Sequence, residues 1–215
     1  MRQSRIQLAV SLSGLIVAFL IAGMAYRWAH TRVGGPTISN WRDYALSERA
    51  LDDDAGAVTI TVFTDYQCPH CLTLDKQLTA LRSRYPGALR LIVRHYPVES
   101  RHPFARAAAL AVECATESGQ RKVVHYGLFA LQDALADTLW GRIAMSAGIG
   151  DTTAFRTCIN EGKFSHRIDA DLEAAQALGI SGTPTMLINE HLIRGVSSLE
   201  SLDQVVQAAL DDDLG

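Results

Sequence analysis

A chain of 215 residues with a formal net charge of −3 has no basic surplus with which to hold a polyanion, so nothing in its composition points to nucleic acid. The length suits one domain built on a single hydrophobic core. Its four cysteines, Cys68, Cys71, Cys114 and Cys158, are too few for a disulfide-stapled miniprotein, yet they matter if the chain works in an oxidising compartment.

A short tail, residues 1–5, precedes an uncharged run at residues 6–26 flanked by Arg5 and Arg27. A helix of that length rises about 30 Å, enough to cross a bilayer core, and it is read as a transmembrane anchor. Gly23-Met24-Ala25 offers a small-x-small cleavage pattern, so a signal peptide is the alternative; the length of the run favours the anchor. Either way the segment engages the export machinery, and the globular part is expected outside the cytoplasm. Residues 27–56 read as a linker, broken by Gly34-Gly35-Pro36 and the acidic Asp52-Asp53-Asp54.

The domain proper is expected over residues 57–211. Residues 58–63, rich in β-branched side chains, form a strand. A helix follows, with Cys71, Leu74, Leu78, Leu81 and Tyr85 on one apolar face and Pro86-Gly87 as its stop. Residues 89–94 form a second strand, closing a right-handed βαβ unit. A long helical region is expected over about residues 98–178, in stripes ended by Gly119, Gly162 and Gly179, with Asp151 as a cap. A hairpin, residues 185–188 and 192–194 around Asn189-Glu190-His191, leads to a last helix opened by a capping box of Ser197 and Glu200.

Cys68-Pro69-His70-Cys71 sits where the first strand runs into the first helix. At a helix N-terminus the Cys68 sulfur would meet unpaired backbone N–H groups and the positive end of the dipole, which favour the thiolate. Pro69 suits the first turn, where its missing N–H is not needed, and His70 can add charge or a hydrogen bond. Cys71, one turn in on the apolar face, suits a resolving thiol. A stabilised thiolate leaves easily, so the Cys68–Cys71 disulfide would be an oxidant.

This dithiol, the element order and Gly182-Thr183-Pro184 before the third strand resemble the thioredoxin-fold oxidoreductases, specifically the DsbA-like branch with a helical insertion. Arg94-His95-Tyr96-Pro97, His102-Pro103, the Ala-rich stretch into Cys114, and Phe155 with Cys158 are similar to its membrane-anchored bacterial members. The resemblance implies an α/β thioredoxin fold with the insertion between its βαβ and ββα halves, preceded here by the transmembrane helix. It also implies a cis Thr183–Pro184 bond beside the dithiol. One position departs from the pattern: six residues before Cys68, where relatives often carry a buried acid that shuttles a proton for the second thiol, stands Val62. Asp65 is the nearby carboxylate and the candidate for handling that proton. His95, His102 and His125 carry no catalytic role on sequence grounds.

Cys114 and Cys158 both lie on apolar stripes, as two packed free thiols or as a structural disulfide pinning two helices. Four cysteines with one pair 44 residues apart do not make a zinc site. The expected function is a monomeric, membrane-anchored thiol:disulfide oxidoreductase of the periplasm or cell exterior, without metal or organic cofactor. It would donate its disulfide to reduced exported proteins and be reoxidised by a membrane quinone-linked thiol oxidase. The same fold acting as a reductase or isomerase is the alternative, and a copper-binding or other metal-chaperone module is the rival of another class.

Overall fold

Every residue of Val58–Thr64 (β1) is buried, which marks a strand covered on both faces. In this computed structural model, which describes residues 18–23, 35–45, 50–51 and 56–213, β1 lies inside a four-stranded sheet. The order is β2-β1-β3-β4, with β2 at Leu89–His95, β3 at Thr185–Ile188 and β4 at His191–Arg194. β1 and β2 run parallel, Val58 opposite Leu89 and Thr64 opposite His95, and the connection is helix α1, Pro69–Arg84. β3 returns antiparallel to β1 and forms a hairpin with β4 through Asn189, whose φ of 46° suits an asparagine in a tight turn.

The period of two along β1 and β3 sorts their side chains between two layers. Val58, Ile60, Val62, Met186 and Ile188 pack against Leu74, Leu78 and Leu81 of α1 and against Leu202, Val205 and Val206 of the last helix, α7, Leu199–Asp213. Phe63, Leu187 and Leu192 face the other way, against Ala175, Leu178 and Ile180. Each buried leucine of this kind stabilises the fold by about 1.5–3 kcal/mol.

The insertion between β2 and β3 comprises α2 (Ala105–Ala115), α3 (Arg121–Ala130), α4 (Trp140–Ser146), α5 (Thr152–Asn160) and α6 (Ser165–Ala177). Its apolar stripes close a second core that includes Tyr66, Cys68 and Cys71. Asp151 caps α5, its Oδ1 accepting the Ala154 N–H at 2.8 Å. Cys114 of α2 and Cys158 of α5 are joined by a disulfide with a Cα separation of 6.1 Å. Polar side chains tie the insertion to the sheet. Arg94 pairs with Asp171 at 3.1 Å, and His95 Nε2 lies 2.9 Å from Glu113, which also takes Arg121 and Arg167. Buried charges of this sort persist because each has several partners.

At the last helix Ser198, not Ser197, is the capping residue: its Oγ accepts the Ser201 N–H at 3.1 Å. A serine pair offers two adjacent registers, and packing of Leu202 and Val206 selects the later one. The described part of the segment read as a linker lies along the sheet margins. Thr37 bridges His191 on β4, Ala50 bridges Ile92 on β2, and a 3-10 turn spans Trp41–Tyr44. Both outer strands are thereby partly covered, which shields their unpaired backbone groups. Of the span read as an anchor, residues 18–23 are helical and the remainder lies outside the described residues. Among the described residues no helix is long and apolar enough to cross a membrane.

Candidate active site

β1 ends at Thr64, and the chain makes one tight turn before α1 begins at Pro69. Cys68 is the N-cap residue, extended at φ −79° and ψ 119°, and Pro69 occupies the first helical turn. The Cys68 carbonyl accepts the Cys71 N–H at 3.0 Å, which places the two thiols side by side. Both are reduced here and both are buried: Cys68 is 6% exposed and Cys71 1%. The burial of Cys68 exceeds what its place at a helix start implies, because the loop before β3 closes over it. Its Sγ lies 3.8 Å from the Thr183 carbonyl oxygen, and the Thr183–Pro184 peptide bond is cis.

The two thiols titrate in opposite directions. The Cys68 thiol is lowered to about 5, chiefly by the hydrogen bond that the Cys71 thiol donates to its sulfur; burial opposes this, and the backbone N–H groups of Cys71 and His70 add to it. Burial pushes the Cys71 thiol far up, and the neighbouring Cys68 sulfur adds to the effect. At neutral pH the pair therefore holds one thiolate and one proton. His70, exposed on the first turn, acts on Cys68 through its backbone N–H.

The turn is clamped from two sides. The buried Asp65 carboxylate accepts the N–H groups of Gln67 and Val98, each at 2.8 Å, and meets His102 Nδ1 at 2.8 Å. It thus ties the loop after β2 to the active-site turn. Both of its carboxylate oxygens are engaged there, and its backbone N–H is what reaches Cys71, at 3.4 Å from Sγ. Opposite, the Gln132 amide donates to the carbonyls of Tyr66 and Cys68 at 2.8 and 3.1 Å. Gln67 accepts the Phe104 N–H at 2.5 Å. The sequence carries no signal for Gln67 or Gln132; His102 could have been found from its place next to Pro103.

A cleft of about 370 Å³ opens over Cys68, lined by Pro69, His70, Val98, Ser100, Arg101, His102, Ser181, Gly182 and Thr183. Thr183 forms the wall beside the Cys68 sulfur, so an extended chain entering the cleft would meet that sulfur. The disulfide of Cys114 and Cys158 lies within the insertion, away from this cleft.

The sequence model of the family described as Thioredoxin matches residues 47–208. The chain belongs to the thioredoxin family. Among solved structures it is similar to a thioredoxin-like oxidoreductase from Silicibacter pomeroyi DSS-3, with 26% identity and a TM-score of 0.61 over 73% of this chain and 86% of that one. It shares the fold of the thiol-disulfide exchange protein alpha-DsbA2 from Wolbachia pipientis, with 21% identity and a TM-score of 0.69 over 80% and 92%. A curated relative, Na(+)/H(+) antiporter NhaA 3 from Salinispora tropica, is 32% identical over 71% of this chain but only 23% of its own length. The chain therefore spans about a quarter of the curated relatives it matches. Within the thioredoxin family a paired thiolate and thiol at a helix N-terminus is the equipment of a thiol:disulfide oxidoreductase.

Proposed function

We propose that the domain runs thiol–disulfide exchange in the oxidising direction, with reduced exported proteins as substrates. The observation that carries this reading is the Cys68 thiol, lowered to about 5 at the N-cap of α1 and opening onto the cleft beside Thr183. A substrate thiolate attacks the Cys68 Sγ of the disulfide; the Sγ–Sγ bond breaks and its electron pair leaves on Cys71, which takes up a proton. A second substrate thiolate then attacks the substrate sulfur of the mixed disulfide. Cys68 departs as a stable thiolate, and the substrate keeps the new disulfide. Cys68 and Cys71 are the catalytic residues. Pro69 and His70 shape the helix start, Thr183 lines the approach, and Pro184 holds Thr183 in place across the cis bond.

Reoxidation falls to a membrane quinone-linked thiol oxidase. The uncharged span of residues 6–26 anchors residues 57–211, the catalytic domain, at the outer face of the bacterial cytoplasmic membrane. The similarity to part of proteins named Na(+)/H(+) antiporters, which by that name work across a membrane, supports a place at a membrane surface. The test is oxidation of a reduced, unfolded substrate together with the equilibrium against glutathione. Turnover that vanishes in Cys68→Ser, with a potential well above thioredoxin's roughly −270 mV, is the expected result. A potential near that value would select the reductase alternative.

A further inference from the structure

Cys71 must gain a proton each time the disulfide opens and lose one each time it closes, and burial holds that proton tightly. The proton therefore needs a route to solvent, a requirement that rests on the exchange reading above. Val62 offers none, and the Asp65 carboxylate is occupied by Gln67, Val98 and His102. Behind the dithiol lies a cavity of about 10 Å³, room for about one water. Cys71, Thr64, Asp75 and His125 line it, and Val62 forms part of its wall. Asp75 stands one turn beyond Cys71 on α1, on the same helix face. It is the one carboxylate of this lining, and its side chain is 12% exposed, so it touches both the cavity and solvent.

A buried pair orients Asp75. His125 Nε2 is 3.0 Å from Asp75 Oδ1, and His125 Nδ1 is 2.9 Å from the Tyr66 hydroxyl. Burial keeps His125 neutral and Tyr66 protonated. Tyr66 therefore donates to Nδ1, and Nε2–H donates to Asp75; neither ring nitrogen is left to accept a proton from Cys71. The other titratable groups felt here are Arg121, Glu113 and His95, which are engaged with one another: Glu113 Oε1 meets His95 at 2.9 Å and Arg121 at 2.6 Å.

We propose that Asp75, oriented by the Tyr66–His125 pair, exchanges the Cys71 proton with solvent through a single water in this cavity. As the disulfide closes, the Cys71 S–H bond breaks, its proton passes to the water, and the water gives one to the Asp75 carboxylate. The Cys71 thiolate attacks Cys68 Sγ, and the electron pair of the mixed disulfide leaves on the substrate sulfur. Asp75 then releases its proton to solvent. Opening runs the same steps backwards.

The experiment uses the full chain carrying a glutathione mixed disulfide on Cys68, and follows glutathione release by Cys71 from pH 5 to 9. Asp75→Asn, which can still accept from His125, should slow release at least tenfold at pH 7, with the deficit shrinking as pH rises. The titration of the Cys68 thiolate at 240 nm should not move. Asp75→Glu should restore release, and so in part should Val62→Asp added to Asp75→Asn, since Val62 faces the same cavity. Release by Asp75→Asn at the wild-type rate, or slowed equally at every pH, overturns the relay while leaving the exchange reading intact. A wild-type chain that exchanges no thiols with glutathione overturns both.

Discussion

Lowering the pH from 7 to 5 should strip this domain's reduced form of much of its advantage. The Cys68 thiol falls from an ordinary 9.0 to about 5 in the folded, reduced protein, whereas the disulfide form has no proton to lose there. A depressed value stabilises the reduced state fully above the ordinary value and loses that stabilisation as pH falls through about 5. Cys71, pushed upward by burial, stays protonated throughout. Over this range glutathione, an ordinary thiol, also stays protonated. Reduction of the domain by two glutathiones therefore releases one proton above pH 5 and none below it. The factor 1 + 10^(pH − 5) rises from about 2 to about 100, so the equilibrium constant for reduction should rise roughly fiftyfold, about 2.3 kcal/mol or about 50 mV against glutathione. Equilibration in glutathione buffers at half-unit pH steps, with acid trapping and mass analysis, measures it. A constant that stays flat from pH 5 to 7 and bends only near 9 would refute the assignment of Cys68 as the stabilised thiolate.

Four other variants test the structure. His70→Pro removes the backbone N–H that helps hold the Cys68 thiolate, so it should raise the Cys68 value and make the domain more reducing, whereas His70→Ala, which keeps that N–H, should change little; absorbance titration at 240 nm separates them. Replacing Cys114 and Cys158 together by alanine opens a loop of 44 residues and should cost about 4 kcal/mol in urea unfolding, without moving the glutathione equilibrium. Asp65→Ala leaves the N–H groups of Gln67 and Val98 without their acceptor, and should cost about 3–5 kcal/mol by the same measurement. A loss of less than about 1 kcal/mol in either case would show that the contacts named do not hold the fold.

Local signals settle much of this molecule. The β-branched run of β1, the apolar face of α1, the Gly119 and Gly162 stops and the Asp151 cap act within a few residues of themselves, so their meaning is legible in the chain. Cys68-Pro69-His70-Cys71 is legible for the same reason: a strand–helix junction, a proline at the first turn and a thiol at the N-cap are neighbours along the backbone. The serine that caps α7 stands one position beyond the one the capping-box pattern selects, since Ser197 and Ser198 differ only in which register packing accepts.

The surroundings of the dithiol belong to the tertiary structure. Asp65 reads as a candidate for handling the second thiol's proton until the loop after β2 brings Val98 and His102 onto its carboxylate. Gln132 lies 64 residues from Cys68 yet holds the carbonyl of that residue, and nothing near Gln132 in the chain announces it. Tyr66, Asp75 and His125 stand on three separate parts of the chain, and only the packing of α3 on α1 makes them one line of donors and acceptors. A periodic apolar pattern specifies which face of a helix is buried, because burial is non-directional and sums over many side chains. A hydrogen bond needs two particular atoms about 3 Å apart, and that choice is made only when the elements carrying them have docked.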